Sequence, residues 1–177
     1  MEHFPASAAS PTPPPRTGPR DPGDAWVEGE RGRYWGKFGA AGVLAYDPAK
    51  GVLLQHRAVW SHNGGTWGLP GGALHEGEEA VAGALREAYE EAAVPPEGVE
   101  VLFTSVLDHG YWSYTTVVVR VLESFEPVIS DPESIALLWI PVAEVDGLDL
   151  HPGFAASWPG LLSRLDLPEG PAADEPW

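Results

Sequence analysis

The chain predicts an α/β fold, in which helices sandwich a mixed β-sheet. Three observations carry that expectation: short apolar runs on both sides of one strongly amphipathic helix, a second helical pattern near the end, and glycine and proline clusters between these segments. At 177 residues, the chain has the length of one ordinary domain plus tails. Hydrophobic residues make up 44% and charged residues 20%, which is a globular balance. No run of about 18 apolar residues offers a membrane span.

Each element follows in order. The stretch PASAASPTPPPRTGPRDPG has no apolar period and cannot bury enough surface to offset its ordering entropy, so residues 1–32 are expected to be a disordered leader. The start is acidic at Glu2 and no apolar stretch follows, so it is not a secretory signal, and a cytoplasmic location is the default. The fold is expected over residues 33–165. AAGVLAYD (Ala40 to Asp47) and GVLLQHR (Gly51 to Arg57) read as strands joined by a tight turn, and WSHNGGTWGLPGG reads as a loop anchored by Trp67 and Leu69. The amphipathic helix comes next. VEVLFTSVLDHG and YWSYTTVVVRVLE read as strands paired around Asp108 to Gly110. SIALLWIP is a further strand, closed by Pro141. PGFAASWPGLLSRL is a terminal helix that Pro159 is expected to start or to kink. Residues 166–177 read as an acidic, solvated tail. No repeat recurs at a period of 20–50 residues.

Charge narrows the function classes. Ten basic against 26 acidic residues give −16, a field that repels polyanions, so duplex nucleic acid is excluded as a partner and no membrane surface is expected. A small phosphate ester remains accessible where divalent cations reverse the local field. There is no cysteine, so disulfides, thiolate metal sites and cysteine nucleophiles are absent.

The helix carries the chemistry. Val81, Ala84, Leu85, Ala88 and Ala92 follow i, i+3, i+4, i+7 and i+11 and form one narrow apolar stripe. Glu87, Glu90 and Glu91 stand at i, i+3 and i+4 beside it, where like charges repel by a few tenths of a kcal/mol per pair. A solvated acidic face would account for them, and so would a hard divalent cation, which takes carboxylate oxygens. Pro70, Gly71 and Gly72 make a sharp approach in which a backbone carbonyl can reach the same ion.

The longer spacing decides between the two. Gly72, five residues, Glu78, seven residues, Arg86-Glu87, Ala88, one residue, then Glu90-Glu91 resembles the Nudix box, and the likeness to Nudix hydrolases extends over most of residues 35–145. That resemblance implies a Nudix-like α/β/α sandwich that cleaves a pyrophosphate bond in a nucleoside diphosphate-linked substrate, using Mg²⁺ (or Mn²⁺ in its place) and an attacking water. Carried over by position, Glu90 and Glu91 are metal ligands, Glu87 is a ligand or the general base, and Gly71 offers its carbonyl. Arg86 and Glu78 position the ligands. Glu133 sits where some members place a further metal or base carboxylate. A nucleoside triphosphate, oxidised ones such as 8-oxo-dGTP included, is the first substrate choice. A dinucleoside polyphosphate, ADP-ribose or a nucleotide sugar is the alternative, and a noncatalytic nucleotide-binding module is the alternative of another class. Family members often pair, which makes a homodimer available.

Three departures stand out, of which the first is Ala88, a smaller plug than the branched aliphatic often found after Arg-Glu, though it keeps the apolar stripe. Ala93 occupies a place where glycine is usual, which matters only if that position needs positive φ. Ala73 follows the glycine pair where some triphosphate-cleaving members carry lysine, so a phosphate contact from there is lost. For the substrate, Arg57 is placed to meet a phosphate, and Trp60, Trp67, Tyr111 and Trp112 can stack on a base. His56, His62, His75 and His109 receive no role.

Overall fold

The structure, a computed structural model, describes residues 21–130 and 132–165. Most of the expected leader, and all of the expected tail at 166–177, lie outside the described residues. Within the described part, the expected leader boundary at residue 32 is too late. Strands β1 (Trp26–Gly29) and β2 (Gly32–Trp35) form an antiparallel hairpin that pairs Trp26 with Trp35 and Gly29 with Gly32. Gly32 closes it at φ +114°, a conformation that glycine adopts at little cost. Four-residue strands rich in charge and glycine give no apolar period, and this hid the hairpin in the sequence.

The main sheet is mixed. Strand β3 (Ala40–Asp47) pairs in parallel with β8 (Ser113–Val121), and every other pairing is antiparallel. β4 (Gly51–Arg57) pairs with β9 (Ser134–Ile140), and β7 (Val99–Asp108) forms the edge beyond β8. The expected strands and the hairpin around Asp108 to Gly110 are present.

Side-chain alternation explains the layers. On β3, Ala41, Val43 and Ala45 join Leu53, Val117 and Val119 under helix α1 (Ala80–Ala92). Leu44 and Tyr46 face the other way and join Val118 and Leu54 under helix α2 (Pro152–Arg164). Ala84, Ala88 and Ala92 are fully buried, with Val81 and Leu85 packed at the margin, which is the stripe read from the sequence. The result is an α/β/α sandwich.

Pro159 does not start α2. It lies inside α2, and the helix runs on to Arg164. Proline removes the bond to the Ala155 carbonyl, but Ala155 and Pro159 are both exposed, so water can satisfy that oxygen. Phe154, Trp158 and Leu161 on the opposite face are buried and hold the helix to the sheet.

The divergence of β3 from β4 positions the site. The two strands pair only at Tyr46–Val52 and Asp47–Gly51. At its other end β3 pairs with β6 (Gly71–Ala73), while the far end of β4 pairs with β5 (Trp67–Gly68). Residues read as pure loop therefore fill a wedge in the middle of the sheet. Leu69 in that wedge is buried in the α2-side core, as an anchor should be. Among the described residues, no helix is long and apolar enough to cross a membrane.

Candidate active site

The turn from β6 into α1 brings the box residues together. The Gly71 amide donates to Glu91 Oε2 at 3.0 Å, which ties the wedge to the last turn of the helix. A Cβ on Gly72 would stand 2.8 Å from the Glu87 carboxyl carbon and 2.9 Å from each of its oxygens. Only glycine leaves room for that carboxylate against the strand.

Arg86 organises the rest. Its Nε and Nη2 each donate at 2.9 Å to the two oxygens of Glu78, the bidentate geometry that a planar guanidinium favours. Nη1 donates to Glu87 Oε1 at 3.0 Å and to Glu90 Oε2 at 3.2 Å. The repulsion expected among the glutamates is thus partly relieved by the chain itself. Glu78 also accepts from the His75 amide at 3.1 Å. The hydrogen bonds from Arg86 come first in holding its carboxyl well down, at a pKa of about 2. For Glu87 the balance is reversed. It is 15% exposed, and burial raises its pKa more than Arg86 lowers it, with smaller upward pushes from Glu90 and Asp24. Asp24 precedes the hairpin, inside the expected leader, and nothing in its surroundings in the sequence marked it.

The carboxylates do not form a finished metal cage. Among the described residues, no three His, Cys, Asp or Glu side chains are grouped closely enough to hold an ion. Glu87 and Glu90 are held by Arg86, and Glu91 by Gly71, with Glu90 the more exposed of the pair on Arg86. Glu133 is exposed, and its backbone carbonyl accepts from the Ala58 amide at 2.7 Å, just beyond β4.

The expected substrate residues divide. Arg57 Nε and Nη2 donate to the His62 carbonyl at 3.1 and 2.9 Å, so its guanidinium braces the loop after β4. Trp60 lies half-buried on that loop. Trp67 stacks on His56 with ring centres 4.4 Å apart. Tyr111 and Trp112 are committed elsewhere: the Tyr111 hydroxyl donates to the Gly32 carbonyl, while the Trp112 indole donates to the Trp35 carbonyl and stacks on Tyr34 at 4.3 Å. Both hold the hairpin. His151 Nδ1 accepts from the Gly153 amide at 3.1 Å and caps α2, and its Nε2 lies 3.1 Å from Asn63 Nδ2.

Tyr114 was not singled out from the sequence. Burial first, then the charge of Glu91, raises its pKa, with Arg57 opposing and Glu87 adding a smaller push. It stands at the start of β8, opposite Ala40.

A sheet wedge thus delivers glycines to an arginine-bridged set of helical carboxylates. The comparisons supply the family. The NUDIX domain family matches residues 36–159, and the chain belongs to it; members of that family are pyrophosphohydrolases that depend on divalent metal. A "Nucleoside triphosphate pyrophosphatase/Nudix hydrolase fusion protein" of Bifidobacterium longum is 44% identical over 86% of this chain and 34% of its own length. "Putative 8-oxo-dGTP diphosphatase 3" of Mycobacterium tuberculosis is 48% identical over 80% of this chain and 70% of its own. The chain therefore spans about a third of the first relative and somewhat over two thirds of the second. Among solved structures, the Nudix hydrolase RenU of M. smegmatis is 46% identical, with a TM-score of 0.71 over 80% of this chain and 94% of that one.

Proposed function

We propose that the protein hydrolyses the pyrophosphate bond of a nucleoside triphosphate, oxidised forms such as 8-oxo-dGTP included, with Mg²⁺ as the working ion and Mn²⁺ able to replace it. A dinucleoside polyphosphate, ADP-ribose or a nucleotide sugar is the second choice of substrate. The observation that carries the reading is the tie of Glu87 and Glu90 to Arg86 and of Glu91 to the Gly71 amide, in the C-terminal half of α1. The relative named for 8-oxo-dGTP supports the triphosphate choice, and a cytoplasmic location goes with it.

The donor set fits a hard divalent cation in its chemistry. It offers carboxylate oxygens and a nearby backbone carbonyl, and no sulfur or imidazole. Glu90 and Glu91 would hold the ion with the Gly71 carbonyl, and Glu133 is a further carboxylate candidate. Ligation by Glu90 competes with its bond to Arg86, whose pairing with Glu78 keeps the guanidinium in place meanwhile. When bound, the ion supplies positive charge to the phosphate oxygens and acidifies water.

The chain's own residues do the rest. Glu87, less exposed than Glu90 at 15% against 55%, accepts the proton of the attacking water. The water oxygen bonds to phosphorus, the bridging P–O bond breaks, and phosphate or pyrophosphate leaves. Arg57 meets a phosphate through the part of its guanidinium not engaged by His62, and Trp60 and Trp67 remain the candidates to stack on a base.

The test is a substrate panel with Mg²⁺ and with Mn²⁺, covering nucleoside triphosphates, 8-oxo-dGTP, dinucleoside polyphosphates, ADP-ribose and nucleotide sugars. Release of phosphate or pyrophosphate fastest from triphosphates is expected. Inactivity across the panel would turn the assignment to a nucleotide-binding module.

A further inference from the structure

The N-terminal hairpin brings a cation to the substrate loop. Arg33 on β2 sets its guanidinium 4.0 Å from the centre of the Trp26 ring, a cation–π contact that fixes the direction of a long side chain without neutralising it. Trp26 also meets Trp35 at 5.1 Å and His62 at 5.3 Å, edge-on in both cases. His62 belongs to the loop whose carbonyl Arg57 holds with two hydrogen bonds. Arg33, Trp26, His62 and Arg57 thus form one continuous chain of contacts from the hairpin to the end of β4.

This run of side chains is unusual for the molecule. The chain carries −16, yet neither Arg33 nor Arg57 has a carboxylate partner among the described residues, whose ion pairs involve Lys50, His75 and Arg86. Both cations act on His62, whose pKa is lowered by burial first, then by Arg57 and Arg33. Arg57 also acts on Tyr114, which in turn feels Glu91 and Glu87. A Cβ on Gly68 would stand 3.8 Å from Arg57 Cδ, and Gly71, in the same wedge, holds Glu91 through its amide, so the chain of contacts from the hairpin ends beside the wedge that carries the carboxylates. Arginines that no carboxylate holds in an ion pair can bind an anion through charge-assisted hydrogen bonds.

We propose that Arg33, with His62 and Arg57, forms a second anion subsite that takes the phosphates of the substrate remote from the bond being cleaved. The subsite rests on the pyrophosphohydrolase reading for what it holds, but not for its charge. It makes the hairpin a selector of phosphate-chain length: substrates with three or more phosphates reach Arg33, and two-phosphate substrates such as ADP-ribose stop short of it. Arg33 is a specificity residue and not a catalytic one.

The experiment compares Arg33→Gln with Arg120→Gln in the full chain. Arg120 is exposed on β8 at the opposite end of β3 from Tyr114, beside Tyr46, so its replacement makes the same change of charge away from the loop. Inorganic tripolyphosphate, followed by calorimetry without metal, is the first probe. Arg33→Gln is expected to weaken its binding about tenfold and Arg120→Gln less than about twofold, as loss of one charge-assisted contact implies. Steady-state rates are the second readout. Arg33→Gln should raise KM for triphosphates and dinucleoside tetraphosphates about tenfold at a kcat within about twofold, with little change in KM for ADP-ribose. Arg33→Lys should recover part of the tripolyphosphate binding.

Equal effects of the two glutamine variants, or no tripolyphosphate binding by the parent chain, would overturn the subsite. An enzyme inactive on every nucleotide whose tripolyphosphate binding still depends on Arg33 would instead overturn the hydrolase reading and leave the subsite standing. Circular dichroism and thermal unfolding confirm that the exposed Arg33 was replaced without loss of fold.

Discussion

Arg86 grips both oxygens of Glu78, through Nε and Nη2 at 2.9 Å each, while its Nη1 reaches Glu87 and Glu90. One guanidinium thereby joins the turn before α1 to the acidic face of the helix. Glu78→Gln should destabilise the fold by about 2 kcal/mol, the range for charge-assisted bonds between partly buried groups. It should also lower activity by about 10- to 100-fold, because the carboxylates lose their support. Arg86→Lys should lose nearly as much activity, since an ammonium cannot form the fork. Urea unfolding and kcat/KM together check this; full activity in both variants would remove Arg86 from the positioning role.

Gly72→Ala is the steric test of the wedge. The added Cβ would press on the Glu87 carboxylate at under 3 Å, so activity is expected to fall by about tenfold or more from a displacement of this kind. Stability should change far less than activity. A variant that keeps its parent's kcat would show that Glu87 tolerates being moved.

Ala93 offers a prediction about stability alone. It ends α1 in the left-handed region at φ 57°, with its amide bonded to Tyr89 and the Val94 amide to Ala88. The glycine usual at this place was expected to be dispensable unless positive φ was required, and positive φ is required. Ala93→Gly should stabilise the protein by about 1 kcal/mol by removing the Cβ strain. Thermal unfolding at fixed pH reads it, and a lowered Tm would contradict the account.

Acid stability should fall in two windows. Burial first, then the charges of Arg57 and His62, depress His151 from its ordinary 6.5 to about 4. The unfolded chain then binds the extra proton between those values, so stability is lost as pH falls from about 6.5 to about 4. Protonation at Nδ1 also removes the acceptor that caps α2. Glu78, depressed from 4.5 to about 2, contributes stability above about 4.5 that is lost as pH falls toward 2. His151→Asn keeps a capping acceptor without a titrating group and should flatten the upper window only. Urea midpoints from pH 7 to pH 3 distinguish the two.

Much of this was legible in the sequence because it depended on local period and spacing. The α1 stripe and the β7–β8 pairing follow intervals that the backbone geometry dictates, and the box is legible through its resemblance to the Nudix family. What the sequence hid was non-local. Trp26 and Tyr34 acquire partners in His62 and Trp112 only after the sheet closes, so the hairpin looked like leader and the rings of Tyr111 and Trp112 looked available. The wedge of β5 and β6 exists because β3 and β4 diverge, a tertiary event with no period in the chain. Pro159 misled for a related reason: its cost depends on whether Ala155 faces water, which only the packed helix decides.

The most direct measurement is Mg²⁺-dependent release of phosphate or pyrophosphate by the parent chain and by Glu91→Gln on the best substrate of the panel. The account predicts that a chelator abolishes the parent's activity, that added Mg²⁺ restores it, and that the variant falls by at least about 100-fold with a weakened response to Mg²⁺, as loss of a metal-binding carboxylate implies. A Glu91→Gln enzyme that keeps the parent's rate and Mg²⁺ response would contradict it.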